Sequence, residues 1–269
     1  MKIKQIALKL LIAVSILYLA ACSSTTLPGT LGAERKQFII LPENDYHVQA
    51  AVDYGNLIGQ LKTNGKIVEN AQVRRVAQRL INQTDHYRID APNWNWQVNT
   101  IKNDSVNAFA MPGGKIAVFT GLLTKLKPTD DELAAVMGHE IAHALREHSR
   151  EKASKAAAGR LTTHLVTSYA GLGEYGNIAV QMFEKYGWNL LNSRSAEIEA
   201  DLIGLELMAR AGYDPHAAIS FWGKMSAVNK TNPNMSFMST HPASETRIKK
   251  IEATIPKVMH FYDESKPRK

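Results

Sequence analysis

Residues 129–145, TDDELAAVMGHEIAHAL, are the stretch that decides the fold. A threonine followed three residues later by a glutamate is the capping-box pattern of a helix start, and the acidic residues there suit the positive end of the helix dipole. From Leu133 onward every residue is apolar or glycine except His139, Glu140 and His143. At about 100° per residue these apolar positions cover the whole circumference, which predicts a helix buried on nearly all sides.

Three polar side chains in a buried helix need a partner, because burying unpaired polar groups is costly. His139 and His143 lie four residues apart, so their rings face the same way and can share one metal ion, with Glu140 beside it. This HExxH pattern predicts a metal-dependent hydrolase in which Glu140 takes a proton from water. If the pattern were accidental, the sequence would indicate little about function.

A later helix, predicted over residues 194–211, offers a third ligand. Glu197 and Asp201 lie one turn apart on its inward side, where two carboxylates repel each other unless cationic partners meet them. One interpretation is a buried salt bridge, for example to Arg194. We favour the other, in which Glu197 binds the metal and Asp201 orients a ligand histidine.

Helical geometry predicts that four nearby groups lie outside this site. His148, nine residues after His139, points about 180° away and is expected at the surface. Glu147 lies about 12 Å beyond His139 along the axis, too far to share one ion. Glu199 and Glu206 fall on the predicted exposed side of the later helix.

Several motifs together resemble the gluzincins, and among them the HtpX and CAAX-prenyl-protease-like family of zinc metallopeptidases. In chain order these are NAFAMPGG at 107–114, GLL at 121–123, HEIAH at 139–143, SR at 193–194 with EIEAD at 197–201, and HP at 241–242 followed by Glu245 and Arg247. The resemblance covers most of the chain. The long hydrophobic spans of membrane-embedded members are absent, which indicates the soluble, periplasmic lipoprotein branch (LoiP-like or BepA-like).

The resemblance implies that His139, His143 and Glu197 hold one Zn²⁺ per chain and that Glu140 is the catalytic base. Zinc rather than another divalent ion is inferred from two imidazoles and a carboxylate. Three protein ligands leave a fourth position for water. The four residues match the family pattern without departure.

Two further residues are candidates for catalysis. The oxyanion needs a donor besides zinc, and the resemblance offers Arg247 or His241. His241 has three possible roles: it donates to the oxyanion, it occupies the water position as a latch, or it caps a last helix predicted over residues 243–255.

The N-terminal residues resemble a lipoprotein signal. Three lysines precede an apolar run that ends LAAC, so residues 1–21 are predicted as a signal peptide and Cys22 as the acylated residue. The alternative is a chance cysteine after an ordinary signal peptide, but Cys22 is the only cysteine of the chain. Ser23, rather than aspartate, follows it. The expected location is therefore the outer membrane, on its periplasmic face.

The remaining chain is predicted as one domain with short extensions. Residues 22–44 are expected to form a flexible tether, 45–258 the zinc metallopeptidase domain and 259–269 a basic tail. The formal net charge of +7 includes three signal-peptide lysines, so the mature chain carries +4. That excess permits contact with anionic lipid, but no basic stripe with interleaved aromatics indicates a nucleic-acid partner.

The expected fold is α+β and mostly helical, a zincin-type metallopeptidase domain with a small antiparallel sheet ahead of the HExxH helix. Residues 94–100 alternate like a half-buried strand, and 108–111 with 115–120 form a hairpin. Asn107, Ala108 and Phe109 are candidates for an edge strand that pairs with a substrate peptide. The alternative is a hairpin with only a structural role.

The sequence therefore predicts a lipid-anchored zinc endopeptidase of the bacterial envelope that cleaves unfolded or misassembled polypeptides. A second hypothesis is a chaperone of envelope protein assembly, working with assembly machinery, whose peptidase site is latched and mostly silent. A third is a structural lipoprotein in which the HExxH pattern has no role.

Overall fold

The structure, a computed structural model, describes residues 22–170, 193–231, 236–242 and 244–266. Its helices are α1 Glu43–Thr63, α2 Ala71–Ile81, α3 Thr120–Leu126, α4 Asp130–Leu145, α5 His148–Ala170, α6 Arg194–Arg210, α7 Ala217–Thr231, α8 Ser236–Thr240 and α9 Glu245–Ser265. Its strands are β1 Cys22–Ser23, β2 Gln37–Phe38, β3 Ile67–Val68, β4 Gln97–Ile101, β5 Ala108–Met111 and β6 Lys115–Phe119. The α+β, mostly helical prediction is confirmed.

The main sheet has four strands in the order β3-β4-β6-β5. The predicted hairpin is present as β5 and β6, joined by a turn in which Gly113 and Gly114 both have positive φ. The sheet is nevertheless mixed rather than antiparallel throughout, because β6 runs parallel to β4. This arrangement leaves β5 at the edge of the sheet, beside α4.

Helix α4 is the centre of the core, as its sequence predicts. The capping box between Thr129 and Glu132 forms, and every residue from there to Leu145 is buried. Helix α6 packs closely against it at two glycines: a Cβ added to Gly204 would lie 2.7 Å from the backbone nitrogen of His139. This close approach brings the acidic face of α6 over the HExxH motif.

The chain turns sharply after α4, which corrects the prediction that His148 lies at the surface, whereas Glu147, as predicted, does not share a site with His139 and His143. Arg146 caps the helix, Glu147 adopts a left-handed conformation with φ 50°, and His148 begins α5. Helical geometry therefore does not extend to these residues. Both Glu147 and His148 are buried, and His148 returns toward His143 instead of pointing to solvent.

Residues 22–38 contact the domain where a flexible tether was expected. β1 and β2 form a two-stranded antiparallel ribbon, and the buried Gln37 donates to the carbonyl of Arg146. Arg35 reaches the carboxylates of Glu151 and Glu199. Composition alone misled here, because small polar residues of this segment bond to the domain: Ser24 and Thr26 accept from Arg146, and the Thr30 backbone donates to Glu206.

This N-terminal segment also covers the side of α6 that was expected to be exposed. Glu206 forms an ion pair with Arg210 and is fully buried, and it also accepts from the Thr30 backbone and the Tyr87 hydroxyl. Glu199 is buried by the same segment. The two glutamates are therefore interior groups.

The C-terminal part differs from its predicted bounds. Helix α9 continues through Pro256 to Ser265, so the predicted tail is helical over residues 259–265. The predicted signal peptide 1–21 and residues 267–269 lie outside the described residues. Within the described ranges, none of the helices combines the length and apolar character needed to cross a membrane.

Candidate metal centre

Four buried side chains from three parts of the chain converge on one point. They are His139, His143, Glu197 and His241, and we call them the ligand cluster. Each offers one ligand atom, and these atoms all lie within 4.8 Å of one another. The Nε2 atoms of His139 and His143 are 3.1 Å apart, and the carboxylate of Glu197 lies 3.4 and 3.3 Å from them. The predicted ligand set is thus brought together.

His139 is held by a carboxylate on the neighbouring helix. Its Nδ1 donates to Asp201 Oδ1 at 3.0 Å, which leaves Nε2 to face the cluster. Arg247 donates to both oxygens of Asp201 at 2.7 Å. Asp201 therefore has the geometry expected of a residue that orients a ligand histidine.

His143 is held by a residue that sequence reasoning placed at the surface. Its Nδ1 lies 2.8 Å from Nδ1 of His148, whose Nε2 lies 3.0 Å from Glu199. No helical period could have revealed this contact, because His148 belongs to the next helix. A non-glycine residue at the turn also gave no signal of a helix end.

The charges in the cluster suit a cation. Burial alone would raise the pKa of the Glu197 carboxyl, but hydrogen bonds from His139, His143 and His241 hold this pKa well below its usual range. Burial holds the pKa of His143 well below its usual range, which favours the neutral ring. An anionic carboxylate and a neutral imidazole are the ligand forms that a divalent metal requires.

Glu140 is a buried carboxylate next to the cluster. Its Oε2 accepts from the backbone nitrogen of Ala110 on β5 at 3.2 Å, and its Oε1 has no hydrogen-bond partner among the described residues. Oε1 lies 3.5 Å from Nε2 of His241. Burial raises the pKa of Glu140 above its ordinary value, toward the range of a general base.

His241 is a member of the cluster and does not cap the last helix. The cap is Ser244, whose hydroxyl accepts from the Arg247 backbone. His241 Nδ1 lies 3.0 Å from Glu197 Oε1 and 3.3 Å from His139 Nε2. The capping interpretation is therefore wrong.

Arg247 was a candidate oxyanion donor, and its contacts point to another role. Its guanidinium group donates to Asp201 and to the carbonyl of Pro242, and it lies 2.8 Å from Glu197. With its donors directed at these partners, Arg247 fixes the carboxylates around the cluster. These contacts favour a positioning role for Arg247 over the predicted role as oxyanion donor.

The residues present fit a divalent ion. Three buried carboxylates (Glu140, Glu197 and Asp201) face one guanidinium group. Burial alone would lower the pKa of His139, but hydrogen bonds to Asp201 and Glu197 raise it to about 9, so the acids favour a cation among them. Two imidazoles and a carboxylate with facing ligand atoms are a donor set that binds Zn²⁺. A cavity of about 430 Å³ is lined by Glu197, Pro242 and Arg247, among other residues.

A second group of acids and a histidine, not predicted from the sequence, lies close by. Glu43, His47 and Glu147 have ligand-type atoms within 4.8 Å of one another, but Arg88 and Arg150 accompany them. These five residues form what we call the arginine cluster. Two guanidinium groups meet its two carboxylates, and Arg88 also pairs with the exposed Asp90, so guanidinium groups already serve these acids as cationic partners.

Comparison with known proteins adds a family to this geometry. A model of peptidase family M48 matches residues 68–255, which include the whole ligand cluster. Mitochondrial metalloendopeptidase OMA1 of Schizosaccharomyces pombe is 40% identical over 162 residues, 60% of this chain and 47% of the relative. Metalloprotease LoiP of Escherichia coli is 31% identical over 160 residues, covering 58% of this chain and 61% of LoiP. The resemblance inferred from the motifs is confirmed.

A third relative is the putative beta-barrel assembly-enhancing protease of Vibrio cholerae, 32% identical over 162 residues, 55% of this chain and 32% of the relative. The chain spans about half the length of the fungal relatives it matches.

The comparisons contradict the predicted location in a bacterial outer membrane. Relatives from fungi and mammals that match this chain are named as mitochondrial proteins. The prediction relied on a bacterial sorting rule applied to Ser23, and such a rule carries no information once the relatives extend beyond bacteria.

Proposed function

The chain belongs to peptidase family M48, and from this membership we propose that it is a zinc-dependent endopeptidase acting on polypeptides. The observation that carries the proposal is the convergence of His139, His143 and Glu197 at one buried point beside Glu140. These three residues would hold the ion. Zinc is favoured over harder divalent ions because two of the three ligands are imidazoles.

The chain's own residues divide the chemistry among them. When bound, Zn²⁺ would lower the pKa of a water molecule toward about 7 and polarise the scissile carbonyl. Glu140 has one oxygen fixed by Ala110 and the other without a hydrogen bond from any described residue, and it accepts the proton of the attacking water and returns it to the leaving amine. Asp201 and Arg247 hold His139 and Glu197 in place.

The edge strand β5 is the proposed substrate-binding element. In an antiparallel pair, alternate residues direct their backbone groups at the partner strand. Phe119 donates to the carbonyl of Asn107, so Asn107 and Phe109 face β6, whereas Ala108 and Ala110 face the free edge. Of the predicted residues, Ala108 directs its backbone groups at this edge, but it is buried, so a peptide would reach them only if neighbouring residues move.

His241 is proposed as a latch. It lies within hydrogen-bonding distance of Glu197 and His139, in the space where a fourth ligand would sit. While it stays there, an attacking water is displaced, so the site works only when His241 moves away. Loop or helix motions of this kind commonly limit turnover.

The latch supports a second candidate function, an assembly or quality-control factor whose peptidase site is mostly silent. One relative is named as a beta-barrel assembly-enhancing protease. On this hypothesis, unfolded or misassembled proteins are the substrates and assembly machinery is a partner. A Glu140→Gln protein that still restores assembly in cells lacking the wild type would favour it.

Acylation of Cys22 remains a proposal that rests on the sequence pattern alone. Two acyl chains would anchor the protein stably, whereas one would bind a membrane only marginally. Mass spectrometry of the N-terminal peptide tests it, with Cys22→Ser as the control. An unmodified Cys22 in protein purified from membranes would contradict the proposal.

The deciding experiment compares the wild type with Glu140→Gln on unfolded casein, with zinc measured in both. Loss of the base should lower cleavage by about 10³-fold, while zinc content stays equal. Glu252→Gln, on the exposed side of α9, is the matched control and should cleave normally. Full cleavage by Glu140→Gln would disprove the assignment.

A further inference from the structure

The two histidines of the HExxH motif are supported in different ways. His139 Nδ1 meets a carboxylate directly, at Asp201. His143 Nδ1 instead meets Nδ1 of another imidazole, His148, at 2.8 Å. The opposite nitrogen of His148 lies 3.0 Å from Glu199 Oε2, and all these side chains are buried.

Only one placement of protons on the two rings is compatible with a metal at His143. Its Nε2 faces the ligand cluster and must offer a lone pair, so the proton lies on Nδ1. His148 Nδ1 must then accept this proton in a hydrogen bond. The proton of His148 consequently lies on Nε2, from which it donates to the carboxylate of Glu199.

From this chain of hydrogen bonds we propose that His148 is a positioning residue for zinc binding by His143, an inference that rests on the proposed zinc function. His148 donates to the Glu199 carboxylate and accepts the Nδ1 proton of His143. Asp201 accepts the Nδ1 proton of His139 directly. Groups that hold a ligand histidine in this way typically contribute 10–100-fold to metal affinity.

Two arginine side chains fix Glu199, which ends this series of hydrogen bonds. Arg146 donates to Glu199 Oε1 at 2.8 Å, and Arg35 donates to Glu199 Oε2 at 2.9 Å. Arg35 belongs to the N-terminal segment, before the region that the family model matches. A part of the chain outside that region therefore helps to orient His148.

The test uses His148→Leu, which keeps the volume but removes both hydrogen-bonding nitrogens, and His148→Gln, which restores one acceptor and one donor. Zinc affinity is measured by competition with a chelator. We expect zinc to bind 10–100-fold more weakly to His148→Leu and within about 3-fold of wild type to His148→Gln. His216→Leu, at an exposed histidine, is the matched control and should bind normally.

A spectroscopic readout separates positioning from simple packing. The visible absorption of the Co²⁺-loaded protein should change in His148→Leu and not in His216→Leu, because only the former alters a ligand ring. Unchanged affinity and an unchanged Co²⁺ spectrum in His148→Leu would overturn the inference.

The proposed function and this inference fail in different ways. A wild-type protein that binds no zinc would refute the zinc site itself, and so would a Glu197→Ala variant that still binds zinc. If His148→Leu does not fold, ¹⁵N NMR of the histidine rings in the zinc-bound wild type decides. A neutral His148 with its proton on Nε2 supports the inference, and a proton on Nδ1 overturns it.

Discussion

The ligand cluster and the arginine cluster share a composition but differ in their balance of charge. Both contain glutamate and histidine side chains with ligand-type atoms within 4.8 Å of one another. Around the ligand cluster three buried carboxylates (Glu140, Glu197 and Asp201) face one guanidinium group, whereas the two carboxylates of the arginine cluster meet two. Because the buried carboxylates around it outnumber the guanidinium groups, the ligand cluster is the better candidate for a metal site.

The two clusters are also mechanically connected. Glu147 belongs to the arginine cluster, where His47 and Arg150 hold it at 3.1 and 3.0 Å. The next residue is His148, which contacts His143. The arginine cluster thus fixes the turn that brings His148 to the ligand cluster.

The largest effect is expected from removing one acid of each cluster. Glu197→Ala should lose zinc and, with it, several kcal/mol of transition-state stabilisation, so cleavage falls by about 10⁴-fold. Glu43→Ala should keep one zinc per chain. Metal analysis and a casein assay on both proteins measure this, and equal zinc loss in Glu43→Ala would break the comparison.

Arg150→Ala should be strongly destabilising, because it leaves the buried Glu147 short of a cation. Breaking one partner of a buried ion pair costs about 3–5 kcal/mol, which urea unfolding would measure. Arg74→Ala is the control, since Arg74 pairs with Glu69 at an exposed site where a pair contributes at most about 1 kcal/mol. A loss below that value in Arg150→Ala would contradict the structural role of the arginine cluster.

Gly204→Ala tests the close contact between α4 and α6, which lies at the ligand cluster and not at the arginine cluster. Its new methyl group would meet the backbone of His139, so we expect about 2 kcal/mol of destabilisation and weaker zinc binding. Gly223→Ala, where a Cβ meets no neighbour, should be neutral or stabilising by about 1 kcal/mol. Equal stabilities of the two variants in urea would show that the glycine contact is not required.

The smallest effect concerns the turn at Glu147. Both Glu147→Ala and Glu147→Gly lose the ion pairs, but only glycine adopts the left-handed conformation without a penalty. Glu147→Gly should therefore be more stable than Glu147→Ala by about 1 kcal/mol. Should urea unfolding rank alanine first, the left-handed turn would not be under strain.

The sequence was sufficient for those parts of the site that follow one helical period. The spacing of His139 and His143 placed both rings on one face, and the spacing of Glu197 and Asp201 placed both carboxylates opposite them. The capping box at Thr129 correctly marked where the buried helix begins. Each of these inferences used groups within one element.

The contacts between elements were beyond such reasoning. His148 was assigned to the surface because the helix was extended past Leu145, and no glycine or proline indicated its end. Glu199 and Glu206 were assigned to an exposed face because nothing in residues 22–38 suggested that this segment folds over α6. Contacts between polar groups of different elements leave no periodic pattern in the sequence.

The left-handed turn at Glu147 has a consequence for protein engineering. A designer who transplants only the five residues of the HExxH motif into a new scaffold would carry over two imidazoles and leave one of them without its brace. The smallest portable unit is instead the end of α4, the turn and the start of α5, together with a carboxylate for His148 to hold. Grafts judged by ligand distances alone would omit this requirement.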